Sequence, residues 1–533
     1  MLALLVAGPF SSRDPQKWSK RATSYFASGR WGELVRDVTP SMLNASRVVE
    51  ENGTARFASL FQRLSADNGV QSCCIRVLVL GGSITCGGVD PQDFRARAAN
   101  LSIVIEPAGG IEGAYSTHLQ RGLQHMVQGS CCPEGHSVEN LCQGGVESNY
   151  FVQTFATRTG AAHARRPADV VILDTAANDF NSYWFYRLAS SLARTHQSSM
   201  HAEATSHFEA LVRLLLRLRP RVGVLALQTA WFERSVKAKG LPKRERYGAW
   251  ADQEPVLRHY SIPTIHVAHA FNHSTERRAP LYADHLHLSA GGHWVTTYLV
   301  VQALGAMWKR HTLSRLSIQA PLAGDGDDLP NLLAASSASL PPVEAALTTI
   351  DFTSLSASFR AHMHNASGWR WLCASKRANG SYAYAEIDAL QLKQSRGGKV
   401  MFMAAGDARD SFVADVRFRR GMLSVGHLRS YEGQADAEVE LLDDDARPLA
   451  LPSRWILNGT WARHVSTYHA TRFHVPHTLL ETWQVRRGSS KAGTWPARVR
   501  VSVLPRRLRP GERSSGEGNH GWGTVSLFVL TTY

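Results

Sequence analysis

The chain of 533 residues is 44% hydrophobic and 19% charged, with a net charge of +15. That composition excludes general disorder, and the length exceeds what one hydrophobic core supports, so two folded domains with linkers are expected. The longest apolar runs, Met1 to Gly8 and Tyr298 to Trp308, fall short of the roughly 18 to 20 residues a membrane-spanning helix needs, so no internal transmembrane helix is expected.

In chain order, residues 1–74 form an N-terminal segment with lead-in helices. The apolar opening Met1 to Gly8 has the character of a signal-peptide or anchor remnant but lacks a basic n-region, and both possibilities stay open. From 75 to 310, short β-branched runs alternate with longer amphipathic stretches. Ile75 to Leu80, His136 to Leu141, Val170 to Asp174, Val222 to Thr229 and Thr264 to Val267 are predicted strands. Gly113 to Val127, Ser148 to Thr157, Glu203 to Leu218 and Ala290 to Lys309 are predicted helices. Strands separated by helices imply an α/β fold, a parallel sheet with helices on both faces. Residues 311–345 have linker composition, rich in Ala, Ser, Pro, Gly and Asp. Beyond them, 346–533 turns to short alternating runs, such as Lys399 to Ala404, Ser411 to Phe418, Ala437 to Leu442, Arg498 to Leu504 and Thr524 to Leu530. That texture predicts a smaller antiparallel β-sandwich or jelly roll.

Seven of the fourteen asparagines begin an Asn-x-Ser/Thr sequon: Asn44, Asn52, Asn100, Asn272, Asn365, Asn379 and Asn458. Ordinary Ser and Thr frequencies would yield about two, so the excess points to a glycoprotein of the secretory-pathway lumen or the exterior. Six of the seven cysteines fall between 73 and 142, without the paired spacing of a zinc site. Disulfides bracing neighbouring loops are the expected use, and no metal or cofactor is expected. Between Arg486 and Arg513 nine Lys or Arg stand against one Glu. A solvated face is the plain explanation, and an acidic glycan partner is the functional one. No zinc finger, helix-turn-helix or RNP-like motif accompanies the charge, so no nucleic acid partner is expected.

The chemistry concentrates in two loops. Val77-Leu78-Val79-Leu80 runs into Gly81-Gly82-Ser83, which places a serine at the carboxyl end of a predicted strand, where open α/β sheets bind ligands. A P-loop lysine is absent, G-x-G-x-x-G is absent, and Thr85 stands where G-x-S-x-G needs glycine. Asp284-His285-Leu286-His287 precedes the last helix of the same region. A D-x-x-H spacing lets an imidazole take a serine proton while the carboxylate fixes its tautomer.

With these residues in hand, the chain resembles the SGNH (GDSL-like) hydrolase family over about residues 75–308. Gly81-Gly82-Ser83 resembles its first block, Gln143-Gly144-Gly145-Val146-Glu147-Ser148 its second, Ala176-Ala177-Asn178-Asp179 its third and Asp284 to His287 its fourth. The resemblance implies a flavodoxin-like sheet and an esterase in which Ser83 is the nucleophile, His287 the base and Asp284 its orienter. It also implies an oxyanion hole from the Ser83 and Gly145 backbone N–H groups and the Asn178 amide. Two departures stand out: Gly-Gly-Ser replaces the family's usual Gly-Asp-Ser, and Ala176 replaces the glycine that opens the third block.

The expected substrate is an O-acyl ester, above all acetyl on a glycan, or another small ester. An acyltransferase with the same triad, or a non-catalytic glycan-binding protein, are the alternatives. His285 and His293 are expected to be structural, Asp179 to hold its own loop, and Cys86 to form a disulfide. Of the C-terminal tryptophans 369, 371, 455, 461, 483, 495 and 522, most are expected in the core, with any exposed ones available to stack on sugar.

Overall fold

The computed structural model describes residues 15–48, 51–65, 73–88, 106–127, 132, 135–155, 168–179, 197–218, 222–229, 250–270, 279–284, 286–317, 348–351, 363–367, 369–376, 382–386, 399–404, 410–418, 421–429, 435–443, 447–449, 454–457, 467–475, 495–504 and 525–532. It divides into two compact units, each drawn from several stretches of chain. The first takes Met1–Gly144, Arg165–Phe180 and Leu215–Leu332, and the second takes Gly145–Ala164, Asn181–Leu214 and Leu333–Tyr533.

In the first unit, strands β1 (Arg47–Val48), β2 (Arg76–Gly81), β3 (Ser137–Asn140), β4 (Val170–Asp174), β5 (Gly223–Gln228) and β6 (Thr264–His266) form one sheet in the order β1-β6-β5-β4-β2-β3. Five strands are parallel, and β1 adds an antiparallel edge that the sequence pattern does not announce. Counted from β2, the parallel strands run 2-1-3-4-5, the flavodoxin-like order, with its switch point between β2 and β4. Burial explains the strand sequences: all of β4 and β5, and β2 beyond Arg76, are buried, as a sheet covered on both faces requires. Helices α1 (Pro15–Ser28), α2 (Tyr115–Met126) and α5 (Ala290–Ser317) supply cover. Trp18 of α1 donates its indole N–H to Val301 O at 2.8 Å and meets Trp308 edge to face. Helix α5 runs past the expected end at Lys309 into the 311–345 segment, because His311 still packs on Phe61 and Thr312 bonds back to Trp308 O.

The second unit contains two antiparallel sheets. One takes β7 (Thr348–Asp351), β9 (Trp369–Lys376), β10 (Tyr382–Glu386), β11 (Lys399–Ala404), β13 (Met422–Arg429), β16 (Thr467–His474) and β18 (Val525–Thr532). The other takes β8 (Met363–Ser367), β12 (Ser411–Phe418), β14 (Ala437–Leu442), β15 (Arg454–Leu457) and β17 (Trp495–Val503). Alternation is strict where one face is wet: Phe412, Ala414, Val416 and Phe418 of β12 are buried while their neighbours are not. Inward residues of both sheets share one core, in which Trp369 of β9 meets Phe412 of β12 edge to face with centroids 4.9 Å apart. Helices α3 (Ser148–Phe155) and α4 (Gln197–Leu218) contribute to this unit. Gln153 donates to Ser424 Oγ at 2.7 Å, and His207 accepts from Arg472 at 2.8 Å. Burial and that guanidinium push His207 down to about 3, so it stays neutral. Among the described residues no helix is long and apolar enough to cross a membrane.

Candidate active site

Ser83 lies two residues beyond β2, in a turn that closes like a helix end. Cys86 N–H binds Gly82 O at 3.2 Å, Gly87 N–H binds Ile84 O at 2.9 Å and Gly88 N–H binds Ser83 O at 2.8 Å. The last two bonds are the paired closures of a Schellman motif, which needs a left-handed residue at its exit. Gly87 supplies it with φ +69°, and a Cβ there would come 2.1 Å from the Gly110 carbonyl oxygen. A Cβ on Gly81 would meet Thr85 Oγ1 and the Asp174 carbonyl.

The second loop folds on itself. Ala283 N–H binds His287 O, Ser289 N–H binds Leu281 O, and Tyr282 and Leu288 form an antiparallel bridge. Asp284 Oδ1 accepts the N–H groups of Leu286 and His287, an Asx-type turn that orients the carboxylate. Its other oxygen lies 2.7 Å from His287 Nδ1, and His287 Nε2 lies 2.8 Å from Ser83 Oγ. A neutral imidazole thus gives its Nδ1–H to Asp284 and leaves Nε2 to accept the serine hydroxyl. Asp284 is fully buried and His287 partly exposed, so the base reaches solvent while its orienter does not. The three residues that D-x-x-H and Gly-Gly-Ser pointed to are therefore in contact.

Asn178 leaves the adjacent strand, since Gly81 of β2 and Asp174 of β4 are register partners. It sits in the helical turn 176–179, 7% exposed, with its amide nitrogen against Gly82. Gly145 has φ +79°, a conformation that suits glycine, and belongs to the second unit. Two residues earlier, Gln143 N–H binds Gly81 O at 3.0 Å. Asp179 accepts from Thr175 and Gln253 at 3.0 and 2.7 Å, the loop-holding part expected of it. His293 is buried, accepts the Tyr115 N–H and is pushed down to about 3 by burial, then by His118 and His287, which unfits it as a second base. His285 lies outside the described residues.

Several supporting residues escaped the sequence reading. Asp174 ends β4 fully buried and accepts from Thr85 at 2.8 Å, Thr229 at 2.8 Å and Tyr115 at 3.2 Å. Burial raises its carboxyl to about 6, and the three hydroxyl donors pull the other way. Asn140 donates to Thr85 O and Ser116 Oγ. A disulfide joins Cys86, three residues past Ser83, to Cys142; another joins Cys74 to Cys132, and Cys73 is disulfide-bonded too. The signal for Asp174 was a charge closing an otherwise apolar central strand. Among the described residues no group of three or more His, Cys, Asp or Glu is placed to hold a metal.

Of the sequon asparagines, Asn44 is exposed, while the side chains of Asn52, Asn100, Asn272, Asn365, Asn379 and Asn458 lie outside the described residues. Trp369 is buried and Trp455 packs against the core, as expected of most C-terminal tryptophans, whereas the side chains of Trp371, Trp461, Trp483, Trp495 and Trp522 lie outside the described residues. In the basic stretch, Arg498 and Arg500 are ion-paired with Asp415 and Glu440.

Residues 79–295 match the model of the GDSL-like lipase/acylhydrolase family. Among solved structures, a two-domain esterase active on acetylated mannans is similar, with 13% identity and a TM-score of 0.47 over 90% of this chain and 95% of that one. The lipase/acylhydrolase from Enterococcus faecalis is similar over 44% of this chain and 96% of that one, with 15% identity and a TM-score of 0.30. No curated protein matches the chain. The segment that carries Ser83, Asn178, Asp284 and His287 is a GDSL-like lipase/acylhydrolase domain, and its chemistry is ester-bond hydrolysis.

Proposed function

We propose that the protein is a serine esterase that removes an O-acyl group, most specifically O-acetyl, from a glycan through an acyl-enzyme on Ser83. The observation that carries this reading is the continuous chain Ser83 Oγ to His287 Nε2 at 2.8 Å and His287 Nδ1 to Asp284 Oδ2 at 2.7 Å. Ser83 Oγ attacks the ester carbonyl and its proton passes to His287 Nε2, while Asp284 stabilises the imidazolium. The carbonyl oxygen, now negative, accepts from the Ser83 N–H and the Asn178 amide. Collapse expels the sugar alkoxide, which takes the proton back from His287. Water then repeats the sequence on the acyl-enzyme, releasing the acid and restoring the serine.

The glycan assignment rests on compartment. Seven sequons, an exposed Asn44 and the disulfides at Cys74–Cys132 and Cys86–Cys142 support a lumenal or secreted protein among carbohydrates. Residues 75–310 are the catalytic part in this proposal, and 346–533 an accessory part. The test is purified protein with p-nitrophenyl acetate and with an acetylated polysaccharide, each with and without a sugar acceptor. Free acetate in every case is the expected result. Acetylated acceptor in place of acetate would replace hydrolysis by transfer, and no acyl release by folded protein would reduce the molecule to a binding role.

A further inference from the structure

We infer that a cleft far along α5 from the catalytic loop is a second binding site, and that it takes a sugar-sized organic anion, the carboxylate, sulfate or phosphate of an acidic sugar. The cleft has a volume of about 280 Å³ and is lined by Asn44, Arg47, Ala306, Met307 and Arg310, all within the first unit. Helix α5 starts at Ala290, directly after the loop that carries His287. At about 1.5 Å per residue, residues 306–310 stand roughly 24–30 Å along the axis from that start. The cleft is therefore separate from the triad.

Arg47 carries the argument. Its backbone is fixed at the sheet edge, where it is the register partner of Ile265 and where His266 N–H binds Ser46 O at 2.7 Å. Its Nε is buried without a hydrogen-bond partner, and among the described residues no carboxylate is paired with it. Burial pulls its pKa below the ordinary guanidinium value, with Tyr298 opposing. A guanidinium drawn out of water and left without an anion costs free energy that a bound anion offsets. Arg310 brings a second guanidinium to the same cleft, and two like charges facing one space repel until an anion lies between them. The planar fork of each matches the oxygens of a carboxylate or a tetrahedral oxyanion. Volume decides what carries those oxygens. A bare inorganic ion fills little of the cleft, whose 280 Å³ comes close to the roughly 300 Å³ at which small-molecule sites begin. Ala306 and Met307 supply an apolar wall for the body of the ligand. That this body is a sugar rests on the proposed action on glycans; that it bears negative charge does not. Asn44 is exposed and begins a sequon, so a glycan carried there would stand at the rim.

The experiment reads titration calorimetry and melting temperature at constant ionic strength with glucuronate, glucose 6-sulfate, glucose 6-phosphate, neutral glucose and inorganic sulfate. The proteins are wild type, Arg47→Gln, Arg310→Gln and Asn44→Gln. At least one acidic sugar should bind wild type and raise its melting temperature, glucose should not, and each arginine variant should weaken binding about tenfold or more. Arg310 is exposed, so its variant decides the matter if Arg47→Gln fails to fold. No binding by any acidic sugar, or an affinity unchanged in Arg310→Gln, overturns the inference. Inorganic sulfate bound as tightly as the acidic sugars also overturns it and reduces the cleft to an ion site. Binding that appears only in Asn44→Gln overturns it too, since the chain's own glycan then fills the place. Hydrolysis of p-nitrophenyl acetate by wild type is followed in parallel. Hydrolysis without binding strikes this inference alone, and binding without hydrolysis strikes the esterase reading alone.

Discussion

The 82–88 turn adds partners from distant strands to its own backbone bonds, whereas the 281–289 loop is held largely by bonds within itself. Ser83 depends on Thr85 reaching Asp174, on Asn140 reaching Thr85 O and on the bond from Cys86 to Cys142, partners 89, 55 and 56 residues away. His287 depends on Asp284, three residues away, and on bonds between residues 281 and 289. The difference teaches which errors each loop tolerates. Damage to the first should show as lost stability and a displaced nucleophile, and damage to the second as lost chemistry in a folded protein.

The largest expected effect follows from the second half of that contrast. Asp284→Asn keeps an Oδ1 acceptor for the Leu286 and His287 N–H groups, so the loop should survive, but the amide no longer holds the imidazole in the required tautomer. A fall in kcat of about 10⁴-fold with an unchanged melting temperature is expected in steady-state assays. An unfolded variant would show that the loop is not self-sufficient. Replacing Cys86 and Cys142 together by serine addresses the first half. A loss of about 2–4 kcal/mol in denaturant unfolding is expected, with residual activity per folded molecule. No change in stability would mean that Asp174 and Asn140 hold the turn alone.

Asp174 offers the finer test. Burial raises its carboxyl from 3.8 to about 6, so the folded state favours the protonated acid. Its favourable contribution is complete below 3.8 and is lost as pH rises past about 6. Asp174→Asn has no such titration, so the stability of the variant relative to wild type should climb across that window, by roughly 3 kcal/mol at most. Urea midpoints at several pH values measure it. A difference flat in pH would show that the hydroxyls of Thr85, Thr229 and Tyr115 keep the carboxylate ionised in the fold.

What the sequence disclosed follows the same division. Strands β4, β11, β12 and β14 lie within the predicted bounds, because hydrophobic runs and period-two alternation are local signals. The start of α4 at Gln197, before the predicted Glu203, was hidden by a polar first turn without an apolar stripe. In the site, Asp284 and His287 announce themselves by spacing, and Ser83 by the glycines at a strand end. Asn140 and Tyr115 gave no such signal, and Asp174 only a charge at the end of an apolar strand, because their value lies in contacts made only once β2, β3 and β4 align. The fit of Gly82 to Asn178, 96 residues apart, was equally out of reach of pattern.

The measurement closest to the central claim is covalent trapping of the nucleophile. A fluorophosphonate ester, which loses fluoride as the serine oxygen bonds to phosphorus, is incubated with the protein, and the label is located by peptide mass spectrometry beside residual p-nitrophenyl acetate hydrolysis. Label on the peptide that carries Ser83, activity lost in proportion to labelling, and neither label nor activity in Ser83→Ala are the expected results. A Ser83→Ala protein that hydrolyses at the wild-type rate, or inactivation with the label on another residue, would contradict the assignment of Ser83 as nucleophile.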